Sequence, residues 1–270
     1  MLMTTMRRRW AAALGAVFAA LLLVAGCGGG GGSDDATADE PPGRSDGESV
    51  GDTTATTTSP HTSWVAQAKD EVAEVAVYAD PDDAEPSHRL ANPTRVDDDG
   101  NRVPLVFLVD GTPERGEWLP VHLPVPPNGT TGFVRSDQVD LVSHDYRITV
   151  DTAAHELTLT KGGETVIETA VGLGRAGRET PTGLYFITEL LEAPDPGGIY
   201  GPFAYGISGF QDDPAVRAEF GGEAVIGIHG TNEPELLGTA VSSGCIRVAN
   251  DVITEMAGML PLGVPVEIVG

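Results

Sequence analysis

Basic residues are scarce in this chain of 270 residues: 16 lysines and arginines face 40 aspartates and glutamates, and the only lysines are Lys69 and Lys161. A formal charge of −24 excludes electrostatic binding of nucleic acid and leaves a soluble, acidic surface. Histidine is thin as well. His61, His88, His122, His144 and His155 stand at no metal-ligand spacing, so no metal is expected. Large apolar residues almost vanish between Ser33 and Thr62, which excludes a packed core there and implies a disordered spacer. The single long apolar run, Trp10 to Val24, has about 15 residues and is short for a membrane span.

That run follows Arg7-Arg8-Arg9 and precedes Ala25-Gly26-Cys27, the pattern of a cleaved export signal. Val24-Ala25-Gly26-Cys27 resembles the bacterial lipobox. The resemblance implies removal of residues 1–26, a lipid on Cys27 and a location on the extracytoplasmic face of the cell membrane, facing the wall. Residues 27–62, opening with Gly28 to Gly32, then form the tether. Cys245 is left without a partner. An unpaired cysteine in an exported protein is either a reactive thiol or a small buried hydrophobe.

Composition places a boundary near Ser143 to Tyr146 and predicts a mainly β protein. In residues 63–142, Glu74 to Ala79, Val103 to Val109, Glu117 to Leu123 and Thr131 to Val134 read as short strands between Pro, Asp, Asn and Gly turns. Trp118-Leu119-Pro120-Val121, Asn128-Gly129 and Gly132-Phe133-Val134 loosely resemble SH3-like wall-binding modules. In residues 143–270, Arg147 to Val150 and Glu156 to Thr160 alternate polar with apolar residues, as half-buried strands do. Gly162-Gly163 turns the chain into Thr165 to Leu173, and Thr182 to Glu189 follows as a strand. Ala193 to Phe210, rich in Gly, Pro and aromatics, reads as a loop whose Tyr200, Phe203 and Tyr205 either line a cleft or pin the loop to the core. Ala224 to Ile228 reads as a buried strand, a helix capped by Asn250 or Asp251 runs to about Leu260, and residues 264–269 close as a strand.

The buried strand delivers His229 in Gly227-Ile228-His229-Gly230-Thr231, and Cys245 lies in Ser242-Ser243-Gly244-Cys245-Ile246-Arg247. Asn232-Glu233-Pro234-Glu235 and Gly238 break regular structure between them, so the chain can loop out and return thiol to imidazole. A thiol needs a base to become the nucleophilic thiolate, so this pair reads as covalent catalysis. The two segments resemble the signature of the L,D-transpeptidase catalytic domain, the YkuD-like fold. Pro181-Thr182-Gly183 matches a strand opening of that family. Many members carry histidine where this chain has Ser243.

The resemblance implies a β-sandwich or barrel with one or two short helices, preceded here by the small β domain. It implies Cys245 as nucleophile, His229 as general base and acid, and the Gly230 carbonyl as the group orienting His229. The amides of Gly244 and Cys245, with Ser243, are candidates for the oxyanion hole. Arg247 either grips a substrate carboxylate or forms a structural ion pair. Ser242 and Thr231 either contact substrate or His229, or tie the loop, and Tyr205 is a further candidate for substrate contact. The implied activity is peptidoglycan cross-linking by a monomer without a cofactor: the thiolate attacks the third residue of a stem peptide, expels D-alanine, and an amine on a neighbouring stem resolves the thioester into a 3-3 cross-link. A wall hydrolase or carboxypeptidase would use the same pair with water as acceptor, and a non-catalytic wall-binding protein would carry a blocked site.

Overall fold

Short strands with buried apolar residues open the described chain, nine in all: β1 (Ser63–Ala68), β2 (Glu74–Tyr78), β3 (His88–Ala91), β4 (Arg95–Val96), β5 (Arg102–Val103), β6 (Val106–Val109), β7 (Trp118–His122), β8 (Thr131–Arg135) and β9 (Val139–His144). Seven of them pair in the order β3-β2-β8-β7-β6-β1-β9, and β4 with β5 forms a separate ribbon. The computed structural model describes residues 61–96, 100–219, 222 and 224–270. The expected signal at 1–26, the lipid site Cys27 and the linker as far as residue 60 lie outside them.

The second sheet is built from β10 (Tyr146–Asp151), β11 (Glu156–Lys161), β12 (Glu164–Ala170), β14 (Gly183–Glu192), β15 (Phe203–Phe210), β16 (Val225–His229), β18 (Ile246–Arg247) and β19 (Pro265–Val269). Its order is β12-β11-β10-β19-β14-β15-β16-β18, while β13 (Leu173–Gly174) and β17 (Ala240–Ser242) pair with each other. Two helices complete it, α1 (Pro214–Glu219) and α2 (Asn250–Ala257). The mainly β class with short helices is as expected. Tyr185, Tyr205, Ile148, Leu157, Leu159 and Ile228 are among the residues that fill its core, with Ile253 and Met256 of α2 packed against them.

Two expectations about elements change, and one helix is added. Phe203 to Phe210 is a strand rather than loop, because its backbone pairs antiparallel with β14 on one side and β16 on the other. Helix α2 is capped at Ala249 without a side-chain bond, so neither Asn250 nor Asp251 is its cap. Helix α1 was not signalled by the sequence.

Both sheets belong to one unit. Val65, Val106 and Leu108 of the first sheet share a buried cluster with Phe186 of the second. The Asn128 carboxamide donates to the Phe210 carbonyl and accepts from the Phe210 amide, both at 2.8 Å, so one side chain pairs with β15 as a neighbouring strand would. Among the described residues no helix is long and apolar enough to cross a membrane.

Candidate functional site

Strand β16 runs from exposed Val225 to buried His229 as Val-Ile-Gly-Ile-His, and its parallel neighbour β18 lies beside it with Ile228 opposite Ile246 and His229 opposite Arg247. Residues paired across parallel strands face the same way and alternate along each strand. Gly227, His229, Cys245 and Arg247 therefore share one face. A methyl group placed on Gly227 would lie 3.8 Å from His229 Cδ2 and 3.9 Å from Cys245 Sγ, so imidazole and sulfur both border the space over Gly227. The Gly227 amide donates to Cys245 Sγ at 3.4 Å.

His229 is 4% exposed, and its Nδ1 lies 2.6 Å from the Gly230 carbonyl oxygen. A carbonyl only accepts, so Nδ1 carries the proton and Nε2 keeps the lone pair. Tyr200, itself 46% exposed, stands edge-on to the imidazole with ring centroids 4.9 Å apart. Burial lowers the His229 pKa to about 4, the Gly230 carbonyl works against that shift, and Arg247 adds to it. For Cys245, burial pushes the thiol upward, opposed by the Gly227 amide and the Arg247 charge. Base and thiol thus both rest neutral at neutral pH.

The turn before the sulfur is held from several directions. Ser242 Oγ donates to the Cys245 carbonyl at 2.6 Å and accepts from the Gly244 amide at 3.0 Å. Ser243 Oγ accepts from Arg178, whose guanidinium also makes a two-pronged pair with Glu219. The Ser243 carbonyl accepts from Gln211 Nε2 at 3.2 Å. Gly244 sits at φ +123°, and a Cβ there would strike the Gln211 side chain at 2.7 Å, so only glycine fits. Beside Cys245 opens a pocket of about 40 Å³ walled by Val216, Val225, Ile226, Gln211 and Ser243.

Several sequence assignments are corrected by these contacts. Tyr205 is fully buried, its hydroxyl donating to the Met256 carbonyl at 2.9 Å, so it fastens β15 to α2 and cannot meet substrate; burial raises its pKa. The Gly244 amide is engaged by Ser242, which leaves Ser243 and Cys245 as the remaining amide candidates for an oxyanion. Ser242 and Thr231 are buried loop ties: the Thr231 hydroxyl accepts from the Glu233 amide at 3.0 Å. Of the two alternatives for Arg247, the ion pair is formed, with Glu233 at 2.8 Å.

Sequence reasoning missed Arg178 and Gln211, which act on Ser243 from 65 and 32 positions away. The one available signal was the pair Arg175 and Arg178 in a chain short of basic residues; Arg175 Nη1 donates to the Ser242 carbonyl at 3.2 Å. No group of three or more metal-ligating side chains occurs among the described residues.

Residues 145–268 match the family model YkuD, described as the L,D-transpeptidase catalytic domain. The Bacillus subtilis protein named L,D-transpeptidase YkuD is 32% identical over 123 residues, 46% of this chain and 65% of that protein. A second Bacillus subtilis relative, named L,D-transpeptidase YqjB, is 32% identical over 35% of this chain and 54% of its own length. The alignments thus span a little over half to just under two thirds of these curated relatives. Among solved structures, the catalytic domain of an E. faecium L,D-transpeptidase is 24% identical, with 47% of this chain and 98% of that one covered at a TM-score of 0.34.

Proposed function

Since residues 145–268 match the family model of the L,D-transpeptidase catalytic domain, we propose that this protein cross-links peptidoglycan stem peptides by cysteine acyl transfer. The observation that carries the proposal is the seating of His229 and Cys245 on one face across β16 and β18, with the imidazole proton held on Nδ1.

In this reading Nε2 of His229 takes the Cys245 proton as sulfur attacks the carbonyl carbon of the third stem residue. The amides of Ser243 and Cys245 meet the developing oxyanion, an interaction worth about 3 kcal/mol for each donor. The C–N bond to D-alanine breaks, the departing amine takes the proton from His229, and a thioester remains. The side-chain amine of a neighbouring third residue then attacks the thioester, loses a proton to His229, and that proton returns to the thiolate. One peptide bond is exchanged for another, so no nucleotide is consumed. Lipid on Cys27 would hold the domain at the outer face of the membrane with residues 28–62 as tether.

Incubating the purified chain with tetrapeptide-stem muropeptides and weighing the products tests the reaction. A cross-linked dimer that disappears in Cys245→Ala is expected; tripeptide without dimer would mean that water resolves the thioester, and unaltered substrate would overturn both enzymatic readings. Labelling with a fatty acid tests the anchor, which is refuted if Cys27→Ser protein still carries the label.

A further inference from the structure

The group that orients His229 is a backbone carbonyl, and a backbone carbonyl needs something to hold it. Gly230 C=O and Thr231 N–H are the two ends of one planar peptide unit. At one end the oxygen accepts from His229 Nδ1 at 2.6 Å; at the other the Thr231 amide donates to Asn250 Oδ1 at 2.8 Å. We propose that Asn250 is a positioning residue that fixes the plane of this peptide and, through it, the ring and the tautomer of His229. The inference rests on the acyl-transfer reading of the same site.

Two glycines form the slot that receives the carboxamide. A Cβ on either Gly201 or Gly230 would overlap Asn250 Oδ1, and the two glycine backbones also approach each other closely. Gly201, at φ +61°, follows directly on Tyr200, the ring that stands against His229. Asn250 thus braces both the peptide that orients the imidazole and the segment that covers it. It begins α2 without capping it, so its side chain is free of the usual duty of a helix N-terminus.

The chemical effect follows from the polarity of an amide. Donating the Thr231 N–H to an acceptor pushes electron density onto the Gly230 oxygen, which strengthens its bond to Nδ1–H. When Nε2 takes the thiol proton, the positive charge on the ring is met by that oxygen. The other groups facing the imidazole are Arg247 and Cys245 from the β18 side and Tyr200 from the covering loop, and Glu233 pairs with the Arg247 charge. Among the described residues no carboxylate bonds the ring directly, so the peptide and its Asn250 brace occupy the place where a catalytic triad has its third member.

The test uses the full chain and iodoacetamide, which alkylates the thiolate whatever the natural substrate is. Alkylation of Cys245, read by mass between pH 5 and 9, is expected to slow about 10- to 100-fold in Asn250→Ala, the range set by a misplaced catalytic group. Asn250→Asp keeps an oxygen acceptor and should retain the wild-type rate within about threefold, while its nearby negative charge raises the His229 pKa. Nitrogen NMR of the imidazole, with His229→Gln identifying the signal, should show the proton on Nδ1 in the wild type and in Asn250→Asp, and mixed tautomers in Asn250→Ala. Wild-type alkylation by Asn250→Ala, or an unmoved His229 pKa in Asn250→Asp, would overturn the assignment. If the alanine variant fails to fold, the aspartate variant alone decides. A chain that follows this pattern yet forms no cross-link would sink the acyl-transfer reading and leave the role of Asn250 standing.

Discussion

A half-buried thiol near a buried imidazole, each neutral at rest, differs from a standing thiolate and imidazolium pair. The nucleophile forms only as its proton crosses to Nε2, and the same burial makes the fold sensitive to acid. In the unfolded chain His229 takes a proton near 6.5, whereas in the fold it does so only near 4. Between those values the unfolded state binds more protons, so stability is intact above about pH 6.5 and falls as pH drops toward 4. The loss is on the order of 3 kcal/mol. Urea unfolding across that range should show the decline, and His229→Gln should flatten it.

Gly244→Ala tests the neighbouring turn. It forces a side chain onto φ +123° and into Gln211, and it should cost on the order of 1–3 kcal/mol of stability while slowing alkylation of Cys245.

Strands and helices convey these residues to their places, and here legibility was uneven. The hairpin around Gly162-Gly163 and the strand ending at His229 were readable because their apolar spacing and turn residues agree. Strand β15 was not, since Gly206 and Gly209 with three aromatics in eight residues mimic a loop, and only its neighbours β14 and β16 make it a strand. The Cys245 and His229 pair was legible from a short motif. Its supports were not: Arg178, Gln211 and Asn250 act across the fold, and their partners are backbone atoms or a serine that no spacing rule connects to them. Asn250 was readable only as a helix start, because a capping residue and a brace for a remote peptide look alike in sequence. Tyr205→Phe measures how firmly β15 holds α2: losing the buried bond to Met256 should cost ~1–2 kcal/mol in denaturant unfolding.

At the scale of the molecule, the two sheets meet through a shared apolar cluster and through Asn128. Phe186 lies on β14 of the second sheet yet packs on Val65, Val106 and Leu108 of the first. Phe186→Ala should cost ~3–5 kcal/mol by leaving a cavity at that junction. Trp64 and Trp118 both report from the first sheet, so their fluorescence during unfolding will reveal whether damage in the second is felt there. A lowered midpoint in that signal is the expected outcome; an unchanged one would show that the sheets melt independently.

The acceptor that orients His229 belongs to the peptide linkage itself. No codon specifies a carbonyl, so point mutation cannot delete this partner as it deletes an aspartate. Heredity can reach it only indirectly, by displacing the chain that bears it, and the natural record of such lesions should gather at Gly201, Gly230 and Asn250.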